Sequence, residues 1–342
     1  MARMAGEEQL LATRLRDLLD GFAGRRVVVL GDMVADEYIV GRPARLSREA
    51  PIPVLEWEDR YIVPGGATNL ARNVRALGAD VVVAGVIGRD EPGDALRRRL
   101  LDEGIGVEGL VEEEARPTAT KTRVVGGSPQ VVSQQLARID RVVRTPIGAD
   151  AREWIVACLR RELPRADALI VSDYENGVIG QELIAAALPL AAAHRLVVTV
   201  DAHGDLRRFR GITVATPNQD EAAATLGRIL RSDGDVCAGG HELVRAMDAR
   251  AVLITRGSEG MTLVEAGGPC HHLPASSLSE VRDATGAGDT VSAAVTLALG
   301  AGAAQLEAAY LANLAAGIVV RRLGPVAATQ AQVRAELDAT LA

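Results

Sequence analysis

Aromatic side chains are scarce in this chain: Phe, Tyr and Trp together make up 2% of its 342 residues. A stacking surface for single-stranded nucleic acid needs exposed aromatic rings, so that class is excluded. Lysine is scarcer still, with Lys121 standing alone, and the net charge is −7, the wrong sign for a general nucleic-acid surface. The three cysteines, Cys158, Cys237 and Cys270, are widely spaced, and no Cys-x-x-Cys pair occurs. That spacing suggests neither a disulfide framework nor a zinc knuckle. No stretch reaches the ~18 consecutive apolar residues of a membrane span. The first 22 residues are amphipathic and carry Glu7, Glu8, Asp17 and Asp20, unlike a signal peptide. The expectation is a cytoplasmic protein with no nucleic-acid or membrane partner.

What is present is a chain that is 48% hydrophobic, built on Ala, Val, Leu and Ile, and long enough for a large core. Short continuous apolar runs, the pattern of buried parallel strands, occur at 26–30, 81–86, 168–171, 196–200, 212–215 and 251–255. Helical spacing appears at 7–21, 67–77, 92–103, 150–163, 180–193, 219–227, 240–248, 287–300, 304–319 and 330–341. This alternation predicts an α/β fold with a mostly parallel sheet covered on both faces. Segments 37–63 and 118–138 break the rhythm and read as antiparallel strands outside the main sheet. They predict a small β lid on a single domain spanning 1–342.

Asp283-Ala-Thr-Gly-Ala-Gly-Asp289 carries the sharpest chemistry. Gly286, Ala287 and Gly288 precede a helix, whose free N–H groups and positive dipole end suit an anion. Asp289, one residue on, is placed to take a proton from a hydroxyl attacking a bound phosphoryl group. The bland alternative is a glycine-rich turn with a capping acid. Walker A chemistry is excluded because no Gly-Lys-Ser/Thr occurs, and no dinucleotide fingerprint is in register. Pro64-Gly65-Gly66-Ala67-Thr68-Asn69 gives a second close-approach loop, with Asn69 able to meet sugar hydroxyls. Asp36 follows the first strand, at the end where open α/β sheets bind ligands. Asn218 and Glu221 share one side of a helix start and suit hydrated Mg²⁺, or form a plain capping box. Lys121, Arg123 and Arg138 make the lid cationic, to cover an anionic substrate or to be solvated surface charge. Adjacent His271 and His272 face opposite ways on a strand, so they do not chelate together.

Gly65-Gly-Ala-Thr-Asn69, Asn218-x-x-Glu221 and Asp283-Ala-Thr-Gly-Ala-Gly-Asp289, in this order, resemble the signatures of PfkB (ribokinase-like) carbohydrate kinases. The resemblance covers nearly the whole chain. Within the family, five further strings resemble the branch acting on heptose 7-phosphates. They are Gly31-Asp-Met-Val-Ala-Asp36, Ser47-Arg-Glu-Ala-Pro-Ile-Pro-Val54, Gln134-Gln-Leu-Ala-Arg-Ile-Asp140, Ser172-Asp-Tyr-Glu-Asn-Gly177 and Ala312-Asn-Leu-Ala-Ala-Gly-Ile-Val-Val320. The resemblance implies ATP-dependent phosphorylation of the anomeric C1 hydroxyl to a 1,7-bisphosphate, with Mg²⁺ and a homodimer joined through the lid. A monovalent cation is left open. It implies Asp289 as base and Gly286, Ala287 and Gly288 as the anion hole. Asp36, Gly65, Gly66, Asn69, Lys121, Arg123, Arg138 and Asp173 are implied around the sugar phosphate. Asn218 and Glu221 are implied at Mg²⁺, and Arg256, Gly257, Gly260 and Asn313 along the nucleotide. Asp201-Ala202-His203 stands where that branch usually has Asp-Pro-Lys, and extra residues around 126–130 lengthen the lid. The alternatives are another sugar or nucleoside kinase of the same fold and a non-catalytic sensor that kept it.

Overall fold

The computed structural model describes residues 2–128, 131–276, 281–322, 324 and 326–341. In chain order the elements are α1 (Ala2–Asp20), β1 (Arg26–Gly31), β2 (Met33–Leu46), β3 (Pro53–Gly66), α2 (Ala67–Ala76), β4 (Asp80–Gly88), α3 (Glu91–Asp102), β5 (Gly106–Glu113), β6 (Ala119–Ser128) and β7 (Val131–Arg141). There follow α4 (Ala149–Glu162), β8 (Ala168–Asp173), α5 (Gln181–Ala193), β9 (Val197–Ala202), β10 (Val214–Ala215), α6 (Gln219–Leu226), α7 (Asp233–Met247), β11 (Ala251–Thr255), β12 (Met261–Glu265), β13 (Cys270–Leu273), α8 (Ala287–Gly300), α9 (Gln305–Val319) and α10 (Gln330–Thr340).

Nine of these strands form one sheet in the order β13-β12-β11-β10-β9-β8-β1-β4-β5. Pairing is parallel from β5 to β11 and antiparallel only at the β11-β12-β13 edge. Strand β1 shows why both faces are covered. Its Val27 and Val29 point into one apolar cluster with α2, α8 and α9, while Val28 and Leu30 point into another with α4, α5 and α7. With few aromatics, the α8–α9 layer packs through Ala293, Ala294, Ala298, Ala308, Ala309, Ala312 and Ala315, all buried. Small side chains bring these backbones close, so polar contacts can be carried inside. Thr290 donates to Asn73 Oδ1 at 2.7 Å, locking α8 onto α2. Such a buried pair is worth about 1 kcal/mol net, and more is lost if one partner is removed.

Asp32, just past β1, is a buried corner post. Its carbonyl accepts from Ala67 N–H of α2 at 3.1 Å. Its carboxylate accepts from the N–H groups of Tyr174, Asn176 and Val178 at 2.7, 3.1 and 3.2 Å. Its side chain thus fixes the loop after β8.

The lid is a four-stranded sheet in the order β3-β2-β6-β7. Two expectations are corrected here. The strands are not all antiparallel: β2 and β6 pair in parallel at its centre, because they leave the main sheet from separate loops in the same direction. The short pieces expected within 37–63 are two 14-residue strands, β2 and β3. They extend beyond 37–63 into Met33 and Gly66. The lengthened lid tip includes Pro129 and Gln130, which lie outside the described residues.

A third correction concerns the cysteines. Cys237 on α7 and Cys270 on β13, 33 positions apart in sequence, form a disulfide with Cα atoms 5.9 Å apart. Spacing does not reveal it, because α7 packs on the antiparallel edge that apolar runs had not marked. Cys158 is free and buried. Among the described residues, no helix is long and apolar enough to cross a membrane.

At Gly31 an added Cβ would run into the Ser172 carbonyl between β1 and β8. Gly31→Ala is expected to cost about 1–3 kcal/mol, seen as a lower urea midpoint with unchanged slope. An unchanged midpoint would show that the two strands part easily.

Candidate active site

The carboxyl ends of the parallel strands open on one side of the main sheet, and α8 begins there. Gly286 caps that helix at φ 79° with no side-chain cap. The Ala287 N–H turns back to the Ala284 carbonyl at 3.2 Å. Among the described residues, the N–H groups of Gly286 and Gly288 have no backbone acceptor. A Cβ at Gly288 would meet nothing within 4 Å, so this turn borders open space that a ligand can approach.

Asp289 sits in the first turn of α8 and is buried. Asn69 Nδ2 donates to its Oδ2 at 2.5 Å, and the Tyr174 hydroxyl donates to its Oδ1 at 3.2 Å. Burial pushes its carboxyl up to about 6, while Asn69, Tyr174 and the Lys121 ammonium pull the other way. Asn69 is delivered by α2, whose start at Gly66 has φ 54°. Gly65 is needed for a different reason: a Cβ there would lie 2.7 Å from the Asp36 carboxyl.

The lid contributes from above. Lys121 and Arg123 are two apart on β6 and share a face, and Arg138 pairs opposite Arg123 on β7. Lys121 Nζ lies 4.7 Å from the centre of the Tyr174 ring, over its face. Its ammonium is pushed below the usual lysine range by burial, with Arg138 and Arg123 adding to the effect and Asp36 opposing it. Arg123 forms a 2.7 Å ion pair with buried Asp36. Arg138 is half exposed and pairs with Asp140 at 2.8 Å.

On the opposite flank, Asn218 and Glu221 form a reciprocal capping box at the start of α6. The Asn218 side chain accepts from Glu221 N–H at 2.9 Å, and Glu221 Oε2 accepts from Asn218 N–H at 2.8 Å. The box leaves Glu221 Oε1, which meets His203 Nδ1 at 2.6 Å. That contact raises the His203 imidazole. Asp201, at the end of β9, is pushed well up by burial and by the negative charges of Asp289 and Glu221. Three acids sharing one electrostatic field suit a divalent cation. Their oxygens do not form a tight cage: among the described residues, the only three His, Cys, Asp or Glu ligand atoms within 4.8 Å of one another belong to Cys237, Cys270 and His272. The donor set therefore fits Mg²⁺ that keeps its waters.

The remaining sequence-chosen residues are spoken for by the fold. Asp173 is buried, accepts from Glu175 N–H at 2.9 Å and pairs with Arg208 at 3.2 Å. Its carboxyl is raised to about 6, chiefly by burial. Arg256 bonds Asp233 at 2.7 Å and Gln219 at 3.2 Å, and also pairs with Glu259. Gly257 and Gly260 take φ 56° and 84° around the turn it braces. Asn313 donates to the Pro274 carbonyl at 2.7 Å. Among the described residues, none of these five shares a hydrogen bond or ion pair with Asp289. Tyr174 and Asp201 are the members that residue-by-residue reading did not select. Tyr174 is one of only four tyrosines and directly follows a strand end, which was the available signal.

A buried acid at a glycine-opened helix start, a polar α2 corner beside it and a cationic lid above thus meet at one place in the fold. Residues 25–332 match the pfkB family carbohydrate kinases. The chain is 42% identical over 307 residues to the bifunctional protein HldE of Geobacter metallireducens, covering 90% of this chain and 61% of that protein. It is 42% identical over 324 residues to the bifunctional protein HldE of Caulobacter vibrioides, covering 94% and 65%. It thus spans under two thirds of the length of these relatives. Among solved structures, Arabidopsis thaliana ribokinase complexed with ribose and ATP superimposes with a TM-score of 0.71 at 20% identity, over 92% of this chain and 99% of that one. Escherichia coli phosphofructokinase-2 in complex with potassium gives 0.73 at 19%, over 93% and 99%. The chain belongs to the pfkB family of carbohydrate kinases. It is a phosphotransferase with a sugar hydroxyl as acceptor, and its family uses ATP with Mg²⁺.

The Asp289 carboxyl, followed by ¹³C NMR, is expected to titrate near 6. Tyr174→Phe removes a donor that favours the ionised form and should raise that midpoint by about one unit. A midpoint that does not move in the variant would mean that the hydroxyl does not hold the carboxylate.

Proposed function

We propose that the chain phosphorylates the C1 hydroxyl of a heptose 7-phosphate, giving the 1,7-bisphosphate. The observation that carries the phosphorylated substrate is the cationic lid. Lys121 is half-buried, Arg123 and Arg138 near it are each paired with an acid, and its own ammonium has no ion pair among the described residues, so it is the cation left for a phosphate dianion. The heptose itself rests on the resemblance of the five strings quoted above.

In this reading the sugar lies between α2 and the lid, with Asp36, Gly65, Gly66 and Asn69 holding hydroxyls and Lys121, Arg123 and Arg138 near its phosphate. Asp173 supports the β8 loop beneath it. The nucleotide runs along the wall formed by Arg256, Gly257, Gly260 and Asn313. The N–H groups at Gly286–Gly288 receive the migrating phosphoryl group. The sugar oxygen attacks the γ-phosphorus, its proton passes to Asp289, and ADP leaves with the bridging oxygen. Asn69 and Tyr174 keep Asp289 aimed and ionised. Mg²⁺, held through water by Glu221 and Asn218, would supply charge neutralisation on the phosphates. The lid excludes water from the attack.

Turnover needs ionised Asp289, so kcat should fall as pH drops through about 6 and level off above it. Asp289→Asn should keep sugar and nucleotide binding while losing about 10³-fold or more in kcat. An unchanged kcat removes the base assignment.

A panel of sugars at fixed ATP tests the substrate. Heptose 7-phosphate should be preferred over its unphosphorylated form by at least about 100-fold in kcat/KM, and Lys121→Ala should erase most of that preference. Preference for an unphosphorylated sugar would point to another kinase of the same fold.

We also propose that the lid joins two copies of the chain. Its sheet leaves Trp57, Tyr61, Leu136 and Ile139 exposed, an apolar set unusual on a free surface. Light scattering should give twice the chain mass, and Trp57→Glu with Ile139→Glu should give the monomer. A wild-type monomer would end this reading.

A further inference from the structure

The Cys237–Cys270 pair stands apart from Asp289 and its partners, and the mechanism does not use it. Both cysteines are only half-buried, and His272 beside them is exposed. Its Nε2 lies 3.4 Å from Cys237 Sγ and 3.9 Å from Cys270 Sγ. A histidine at a cysteine sulfur favours the thiolate, which is the attacking species in thiol–disulfide exchange. An inert structural bridge is normally enclosed by apolar side chains; this one is open to solvent and has a basic ring on it.

The pair is also wired to the wall assigned to the nucleotide. His272 Nδ1 and Thr262 Oγ1 are hydrogen-bonded at 2.8 Å, and Arg256 donates to the same Oγ1 at 3.5 Å. Arg256 in turn holds Asp233 in the first turn of α7, the helix that carries Cys237. Strand β13 runs from Cys270 to Leu273, and Asn313 donates to the carbonyl of the next residue, Pro274. The bridge therefore closes a ring of contacts through α7, β12 and β13, with the Arg256–Gly260 turn on its rim.

We propose that Cys237, Cys270 and His272 form a reversible thiol–disulfide clasp, opened by a small or protein-borne dithiol, whose opening weakens nucleotide binding. This second half rests on the nucleotide placement proposed above. A dithiol's thiolate attacks one sulfur of the bridge, releasing the other as a thiolate that takes up a proton. The dithiol's second thiol then displaces the remaining sulfur, leaving two protein thiols and one oxidised dithiol. Two electrons and two protons pass to the protein. Neighbouring His272 stabilises the departing and returning thiolate.

The full chain is equilibrated with reduced or oxidised dithiothreitol, desalted and alkylated with iodoacetamide without denaturant. Mass spectrometry of the reduced form should show two adducts, on Cys237 and Cys270, and the oxidised form none, with buried Cys158 unlabelled in both. ATP affinity measured by calorimetry should fall about 5-fold on reduction while sugar-phosphate affinity stays unchanged. The melting temperature should fall by about 5 °C. The double variant Cys237→Ser, Cys270→Ser should match the reduced form under either treatment. His272→Gln should slow exchange about 10-fold without changing the oxidised melting temperature. No change in adduct number between treatments overturns the clasp, and so does one equivalent of zinc retained by the thiol form. Equal ATP affinity in the two states overturns the coupling. If neither state binds ATP, the nucleotide placement and the coupling fall together, while the alkylation result still decides whether the bridge opens.

Discussion

The buried carboxylate of Asp289 sets the terms for the rest of this molecule. A charge placed out of water at a helix start must be held by donors, and the fold supplies two from distant parts of the chain: Asn69 from α2 and Tyr174 from the loop after β8. Each donor needs its own support. Asn73 and Thr290 clamp α2 to α8, and Asp32 collects three N–H groups to hold the Tyr174 loop. The apolar layers on both faces of the main sheet provide the stiffness on which these polar contacts depend. The result is a carboxyl raised by burial but not neutralised, a state suited to accepting a proton near neutral pH.

Charge is distributed around that acid by layer. The main body brings acids, with Asp201 at the end of β9 and Glu221 at the start of α6 near Asp289, and the lid brings the cations Lys121 and Arg123, the latter paired with the lid's own Asp36. Neither layer is electrically comfortable alone. Asp201 is driven up by burial and its acidic neighbours, and Lys121 down by burial and its basic ones. An anionic acceptor on the lid side and a cation-bearing donor on the sheet side would relieve both. His203 shows the same logic within the chain, since it is raised by the Glu221 oxygen that the capping box leaves over.

Much of this is legible in the amino-acid sequence. Buried parallel strands announce themselves as continuous Val, Ile and Leu runs, so β1, β4, β8, β9 and β11 were found. The weakly apolar β5 (Gly106–Glu113) and β13 do not stand out in this way, because half-buried strands carry mixed composition, and buried β12 is a five-residue strand whose apolar run is interrupted by Thr262. Helix α7 begins at Asp233, seven residues before its periodic stretch, because Ser232 and Asp235 form a capping box at its start. Asp289 and its glycines were found because a helix start is written in consecutive residues. Tyr174 meets Asp201 and His203 only after β8 and β9 pair, and no local string records that. The parallel β2-β6 pairing and the cysteine bridge are likewise properties of topology rather than of spacing.

The β2-β3 ribbon has a mechanical side. Its ladder is unbroken from Met33–Gly66 out to Val40–Asp59, and both register shifts lie farther out, at Val40/Gly41 and Pro43/Arg45. Bulges are where a ribbon bends. The outer half can therefore flex like a fingertip, while the inner half behaves as a stiff lever soldered to the corner where Gly66 turns into α2. Whatever presses on the far end of that ribbon is delivered, with little loss, to the residue pair Gly65–Gly66 and to the asparagine one turn beyond.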